Sequence, residues 1–217
     1  MSFEQSLAGP LAIGLWSASG WMIARVSFGR LVEASLGPVP SIVSGFLDYA
    51  AVASACAFAG LASTIKTTPQ LAMAVCLIPV MLPLAAIDAL TQRLPNRLIA
   101  TASAAAGVTA SAMCLIGYDS SPLVDGLEAA LLTGAWWIVI ATVTPGQLGS
   151  GDVKIATLLG FAAGWSSWPT VALSVIFGPV LGLIQIVGLR CTGRRVHQIA
   201  FGPALIAGTY VALVATS

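Results

Sequence analysis

The sequence predicts an all-α, polytopic integral membrane helix bundle of about eight spans, and three observations carry that prediction. Hydrophobic residues make up 58% of the 217 positions. Only 8% are charged, where a soluble domain carries about 25%. Apolar runs of about 20 residues, the length a helix needs to cross a bilayer, recur along the whole chain. In lipid each spanning backbone must satisfy its own hydrogen bonds, which makes helices the default. The polar–apolar alternation of an outer-membrane barrel is absent.

The eight expected spans are 7–26, 42–65, 71–90, 98–116, 123–143, 153–164, 168–189 and 199–215. The sixth is short and follows a Gly-rich turn. Connections are short, the longest being about Ser27–Ser41, so residues 1–217 read as one membrane-embedded domain. The head of the chain, Met1 to Gln5, has Glu4 and no Lys or Arg. It lacks the positive n-region of a cleavable signal, so the first apolar run is expected to stay as a span. No internal repeat is visible.

Basic residues set the orientation. With the connections sorted alternately, Arg25, Arg30, Arg93, Arg97, Lys154, Arg190, Arg194 and Arg195 fall on one side and only Lys66 on the other. The crowded side is expected to face the cytoplasm, with both termini outside. Glu4, Asp119, Asp125 and Glu128 gather at the opposite ends.

Composition also excludes. A net charge of +1 gives no basis for nucleic-acid binding. Cys56, Cys76, Cys114 and Cys191 are scattered and form no CxxC pair. They read as small apolar helix residues rather than zinc ligands or disulfides. His197, beside Arg194 and Arg195, reads as a solvated loop residue.

A carboxylate in a membrane helix is costly and marks function by default. Asp88 ends the run Val80–Asp88. Asp152 stands in Gly149-Ser150-Gly151-Asp152-Val153-Lys154. Both are expected at one depth on the cytoplasmic edge, so they can meet. Two close carboxylates cannot both ionise easily. One keeps a proton while the other acts as base, and together they activate a water against a peptide carbonyl. This is the catalytic pair of an aspartic protease, and it needs no metal and no organic cofactor. The alternatives are a helix-capping Asp152 and a merely solvated Asp88. Gly149 and Gly151 would let the backbone turn tightly and approach a partner. Asp152, at a helix start, meets the dipole's positive end. That makes it the expected ionised partner, with Asp88 holding the shared proton. Asp48, early in the second span, is left as a residue that pairs with a base or hydrates the cavity.

Three motifs resemble the type IV prepilin peptidases, GxGD membrane aspartic proteases. The first is Asp88-Ala-Leu-Thr-Gln-Arg-Leu-Pro95-Asn96. The second is Gly149-Ser-Gly-Asp152-Val-Lys154 with the helix Ile155–Gly160. The third is Phe201-Gly202-Pro203-Ala204-Leu205, with Ala200 where the family has Pro. GxGDxK with an upstream Asp and a Pro-Asn turn is a specific combination. The resemblance implies an aspartic endopeptidase of the inner membrane that removes the short basic leader of prepilins or pseudopilins at the cytoplasmic face. It gives Asp88 and Asp152 the catalytic role. Gly149, Gly151, Lys154, Pro95, Asn96, Gly202 and Pro203 become supporting or substrate-binding candidates. Lys154 and the arginines 93 and 97 also read as topology anchors. Bifunctional members carry a cytoplasmic CxxC domain for N-methylation. Ser27–Ser41 fills that place here without a cysteine, which speaks against methyl transfer. The short chain is similar to peptidases of tight-adherence or Flp-type pili.

Two other readings fit parts of the pattern. Presenilin and signal-peptide-peptidase relatives also use GxGD, and Pro203-Ala204-Leu205 spells their PAL element. However, Ile87 precedes Asp88 where they have Tyr, and the Leu-Pro-Asn turn belongs to the prepilin group. A small ion-coupled transporter could use the same aspartates, but such sites lie near the midplane at broken helices in paired repeats. The substrate's identity and the oligomeric state are not readable from the sequence.

Overall fold

A computed structural model describes residues 68–92, 94–144, 148–191 and 200–217. The two expected spans before residue 68 lie outside the described residues, as do Asp48, Arg93, Arg194, Arg195 and His197. The described residues form six helices and no strand. These are α1 (Thr68–Thr91), α2 (Asn96–Leu115), α3 (Ser121–Val143), α4 (Ser150–Ser166), α5 (Trp168–Cys191) and α6 (Gly202–Thr216). They correspond to the third to eighth expected spans. Four stretches, Ala72–Thr91, Asn96–Leu115, Ser121–Val143 and Trp168–Cys191, are long and apolar enough to cross a membrane.

Prolines and turns place the boundaries. After α1 the chain takes a left-handed residue at Gln92, φ 52°, whose N–H closes the helix on the Asp88 carbonyl at 2.8 Å. Pro95, extended at φ −65° and ψ 120°, caps α2. Its carbonyl accepts the N–H groups of Leu98 and Ile99. A proline suits this position because it needs no donor and presets φ. Pro122 and Pro203 stand in the first turns of α3 and α6 for the same reason. α6 begins at Gly202 rather than at Ile199, since the Phe201 carbonyl takes the first helical bonds, from Ala204 and Leu205.

The helices alternate in direction, and side-chain bonds fix which ends meet. At one end, Gln70 Nε2 donates to the Ser166 carbonyl at 2.9 Å. Trp168 Nε1 donates to Asp125 Oδ1 at 3.3 Å. The Thr170 and Thr216 hydroxyls lie 2.7 Å apart. The opposite end gathers the last turn of α1 and the first turns of α2, α4 and α6.

α4 is the axis of the bundle. Its run Leu158–Trp165 is buried throughout, and all five other described helices touch it. Its 17 residues span only about 25 Å at 1.5 Å per residue. Enclosure by its neighbours removes the need to face lipid across the full core. By contrast, α3 and α5 turn Leu131, Leu132, Leu183 and Ile184 outward. In a bilayer these rows face acyl chains rather than water. Small residues bring the backbones together, as expected where packing rather than the hydrophobic effect joins helices. Gly164 of α4 lies on Ala129 and on the Asp125 carbonyl of α3, and Gly208 of α6 lies on the Gly178 backbone of α5.

Candidate active site

Asp88 sits in the last turn of α1 and is 4% exposed. Its Oδ2 accepts the Gly202 N–H at 3.0 Å, across 114 positions of sequence. A buried carboxylate needs such a partner. The free N–H groups at the start of a helix provide it, and here that helix is α6. A Cβ at position 202 would lie 2.7 Å from Asp88 Oδ2, so only glycine fits without displacing the carboxylate.

Asp152 is the third residue of α4 and half-buried. Its Oδ2 accepts the Gly149 N–H at 3.2 Å, reaching back over the helix start. The capping role weighed from the sequence is therefore real, and it occupies one oxygen. The other, Oδ1, is buried and has no hydrogen-bond partner among the described residues. Asp88, in the last turn of α1, and Asp152, in the first turn of α4, stand at the same end of the bundle.

The two aspartate-bearing segments are joined directly. Gly151 packs on the turn after α1, where a Cβ would come within 2.7 Å of Leu94 Cβ and 3.1 Å of its Cδ1. Beside this contact Lys154 Nζ donates to Asn96 Oδ1 at 2.8 Å on the exposed rim. Pro95 sets the extended backbone that carries Leu94 and Asn96 to α4.

All nine candidate residues thus lie in the four segments that meet at one end of the bundle. Some roles differ from the sequence-based expectation. Gly149 is extended, φ −76° and ψ 147°, and Gly151 lies inside α4 rather than in the turn. Neither has positive φ. At Gly151 the requirement is space, not backbone freedom. Lys154, read partly as a membrane anchor, ties the second motif to the first. The expected asymmetry between the aspartates also loses its basis, because Asp88 too stands at a helix N-terminus, that of α6.

Sequence reasoning missed the bracket behind Gly202. The Phe201 ring meets Trp137 of α3 edge-on, centroids 5.5 Å apart, and rests on Gly182 of α5. Trp137 is 4% exposed whereas its neighbour Trp136 is 53% exposed. An apolar run gives no sign of which of two adjacent tryptophans turns inward.

The arrangement thus gathers two carboxylates at one end of the bundle, each tied by one oxygen to a backbone N–H. The model of the type IV leader peptidase family matches residues 74–187. That stretch includes both aspartates and stops before Gly202. The chain is also similar to the prepilin leader peptidase/N-methyltransferase of Bacillus subtilis (strain 168), at 27% identity over 172 residues, 78% of this chain and 66% of that protein. It thus spans just under two thirds of that relative's length. No solved structure matches. With the family match covering more than half of its residues, the chain belongs to the type IV leader peptidase family.

Proposed function

We propose that this chain is a membrane aspartic endopeptidase that removes the short basic leader of prepilin-like proteins at the cytoplasmic face of the inner membrane. One observation carries the reading. Asp88 and Asp152, from distant parts of the chain, stand at the same end of the bundle, each tied by one oxygen to a backbone N–H. The buried Oδ1 of Asp152, without a hydrogen-bond partner among the described residues, supports a role beyond capping. Membership of the leader peptidase family supports the substrate class.

In this reading one carboxylate of the pair takes a proton from water as the water attacks the scissile carbonyl. The protonated partner donates to the carbonyl oxygen. Collapse of the tetrahedral intermediate returns a proton to the leaving amine and frees the leader as a carboxylate. No metal enters the scheme. Arg97, Lys154 and Arg190 stand at the aspartate end, whereas Asp119, Asp125 and Glu128 stand at the other. That distribution supports a cytoplasmic site by the positive-inside rule. A site at the membrane edge suits a substrate whose leader is in water and whose helix is in lipid. The relative's name couples peptidase to N-methyltransferase. Methyl transfer is left out of this proposal because Ser27–Ser41 has no cysteine.

The test is to co-express the chain with candidate prepilins of its genome and to weigh the products. Loss of the leader, with no added methyl group, is the expected result. Intact prepilins, together with proteoliposome ion flux that needs both aspartates, would replace the peptidase with the transporter reading.

A further inference from the structure

Asp88 is held by a chain of contacts through three other helices. Phe201, the residue that caps α6, is seated between the Trp137 ring of α3 and Gly182 of α5. Those contacts fix where α6 begins. The next residue, Gly202, is buried and presents its N–H to Asp88 Oδ2. Its missing side chain is what allows the approach. A carboxyl group in the last turn of a helix can rotate about χ1 and χ2. A single short N–H bond from a rigid neighbour selects one orientation and leaves the second oxygen for chemistry.

We propose that Gly202 is a positioning residue of the catalytic pair, with its backbone N–H setting the Asp88 carboxylate and the Phe201–Trp137 bracket setting the N–H. The inference rests on the peptidase reading and adds to it a part of the machinery outside the family-matched stretch. It predicts a defect in the chemical step rather than in substrate binding. Gly202→Ala places a methyl carbon 2.7 Å from Asp88 Oδ2 and must turn the carboxylate away. Misplacement of a catalytic group by about 1 Å costs roughly a hundred-fold in rate.

The experiment uses the full chain, purified in lipid nanodiscs, and a prepilin with its leader. Gly202→Ala, Phe201→Leu and Asp88→Asn are measured beside Gly107→Ala, a glycine whose added Cβ meets nothing within 4 Å. For Gly202→Ala, kcat should fall about a hundred-fold with KM little changed, and the limb of the pH–rate profile that belongs to the pair should move. If Gly202→Ala does not accumulate, Phe201→Leu carries the test. It should lower kcat and move the same limb, while keeping the glycine. A wild-type kcat and pH profile in a folded Gly202→Ala, with Asp88→Asn inactive, would overturn this inference alone. A lower rate with an unmoved pH profile would reduce Gly202 to a packing role and also overturn it. Wild-type activity in Asp88→Asn would instead sink the aspartate-pair mechanism beneath it, and no leader removal by the wild type would sink the peptidase reading.

Discussion

Replacing Gly151 by alanine should separate the two halves of the site. The added Cβ would lie 2.7 Å from Leu94 Cβ and 3.1 Å from Leu94 Cδ1. Unstrained carbon contacts settle at about 3.5–4.0 Å, so the start of α4 must retreat from the turn by roughly 1 Å. Asp152 is the next residue and retreats with it, away from Asp88. Overpacking of this kind costs about 1–3 kcal/mol of stability. The effect on rate should be larger, about a hundred-fold for a 1 Å error in placement. Leader removal by the purified protein, followed by mass over time, measures it, with a thermal melt to separate stability from rate. The geometry makes a sharper demand on rescue. The nearest atom is the Leu94 Cβ, which Leu94→Ala retains. Leu94→Ala should therefore fail to restore Gly151→Ala, and Leu94→Gly should succeed. Rescue by both, or a wild-type rate in Gly151→Ala alone, would refute the packing argument.

Two further outcomes follow from the same geometry. The Lys154–Asn96 bond predicts coupling: Lys154→Met and Asn96→Leu should each slow leader removal, and the double variant should lose little more than the worse single one. Additive losses would mean that the two residues act separately. Gly164→Ala, which drives a methyl into Ala129 and the Asp125 carbonyl at the end away from the aspartates, should lower the melting temperature through about 1–3 kcal/mol of overpacking. Its pH–rate profile should stay that of the wild type.

The helical architecture was legible because lipid leaves so few choices. Runs long enough to span and a one-sided distribution of Lys and Arg already imply antiparallel neighbours. The described helices keep the expected order, and their starts shift by two or three residues where Pro95, Gly149 and Phe201 take the capping positions. The aspartates were legible for a related reason: burying a carboxylate among apolar helices is expensive, so its presence is informative. The sequence could not reveal which backbone group satisfies each one. The Gly202 N–H reaches Asp88 across 114 positions, and only the crossing of α5 and α6 brings it there. Gly151 looked like a turn glycine, because a Gly-Ser-Gly string reads as a loop. Only the approach of Leu94 shows that it is a packing glycine inside a helix. Lys154 was ambiguous on the same ground. A membrane anchor and a long-range hydrogen-bond donor both place a lysine at a helix end, and its Asn96 partner is 58 positions away.

The pairing of Asp88 with Asp152 is the centre of this account, and one measurement addresses it most directly. Asp88→Asn and Asp152→Asn preserve shape and remove one carboxylate each. In a leader-removal assay at matched membrane levels, both should be inactive, and the double variant should be no worse than either single one, since the two groups act as a unit. Leader removal at the wild-type rate by either single variant would show that its aspartate is structural and that the site is not a carboxylate pair.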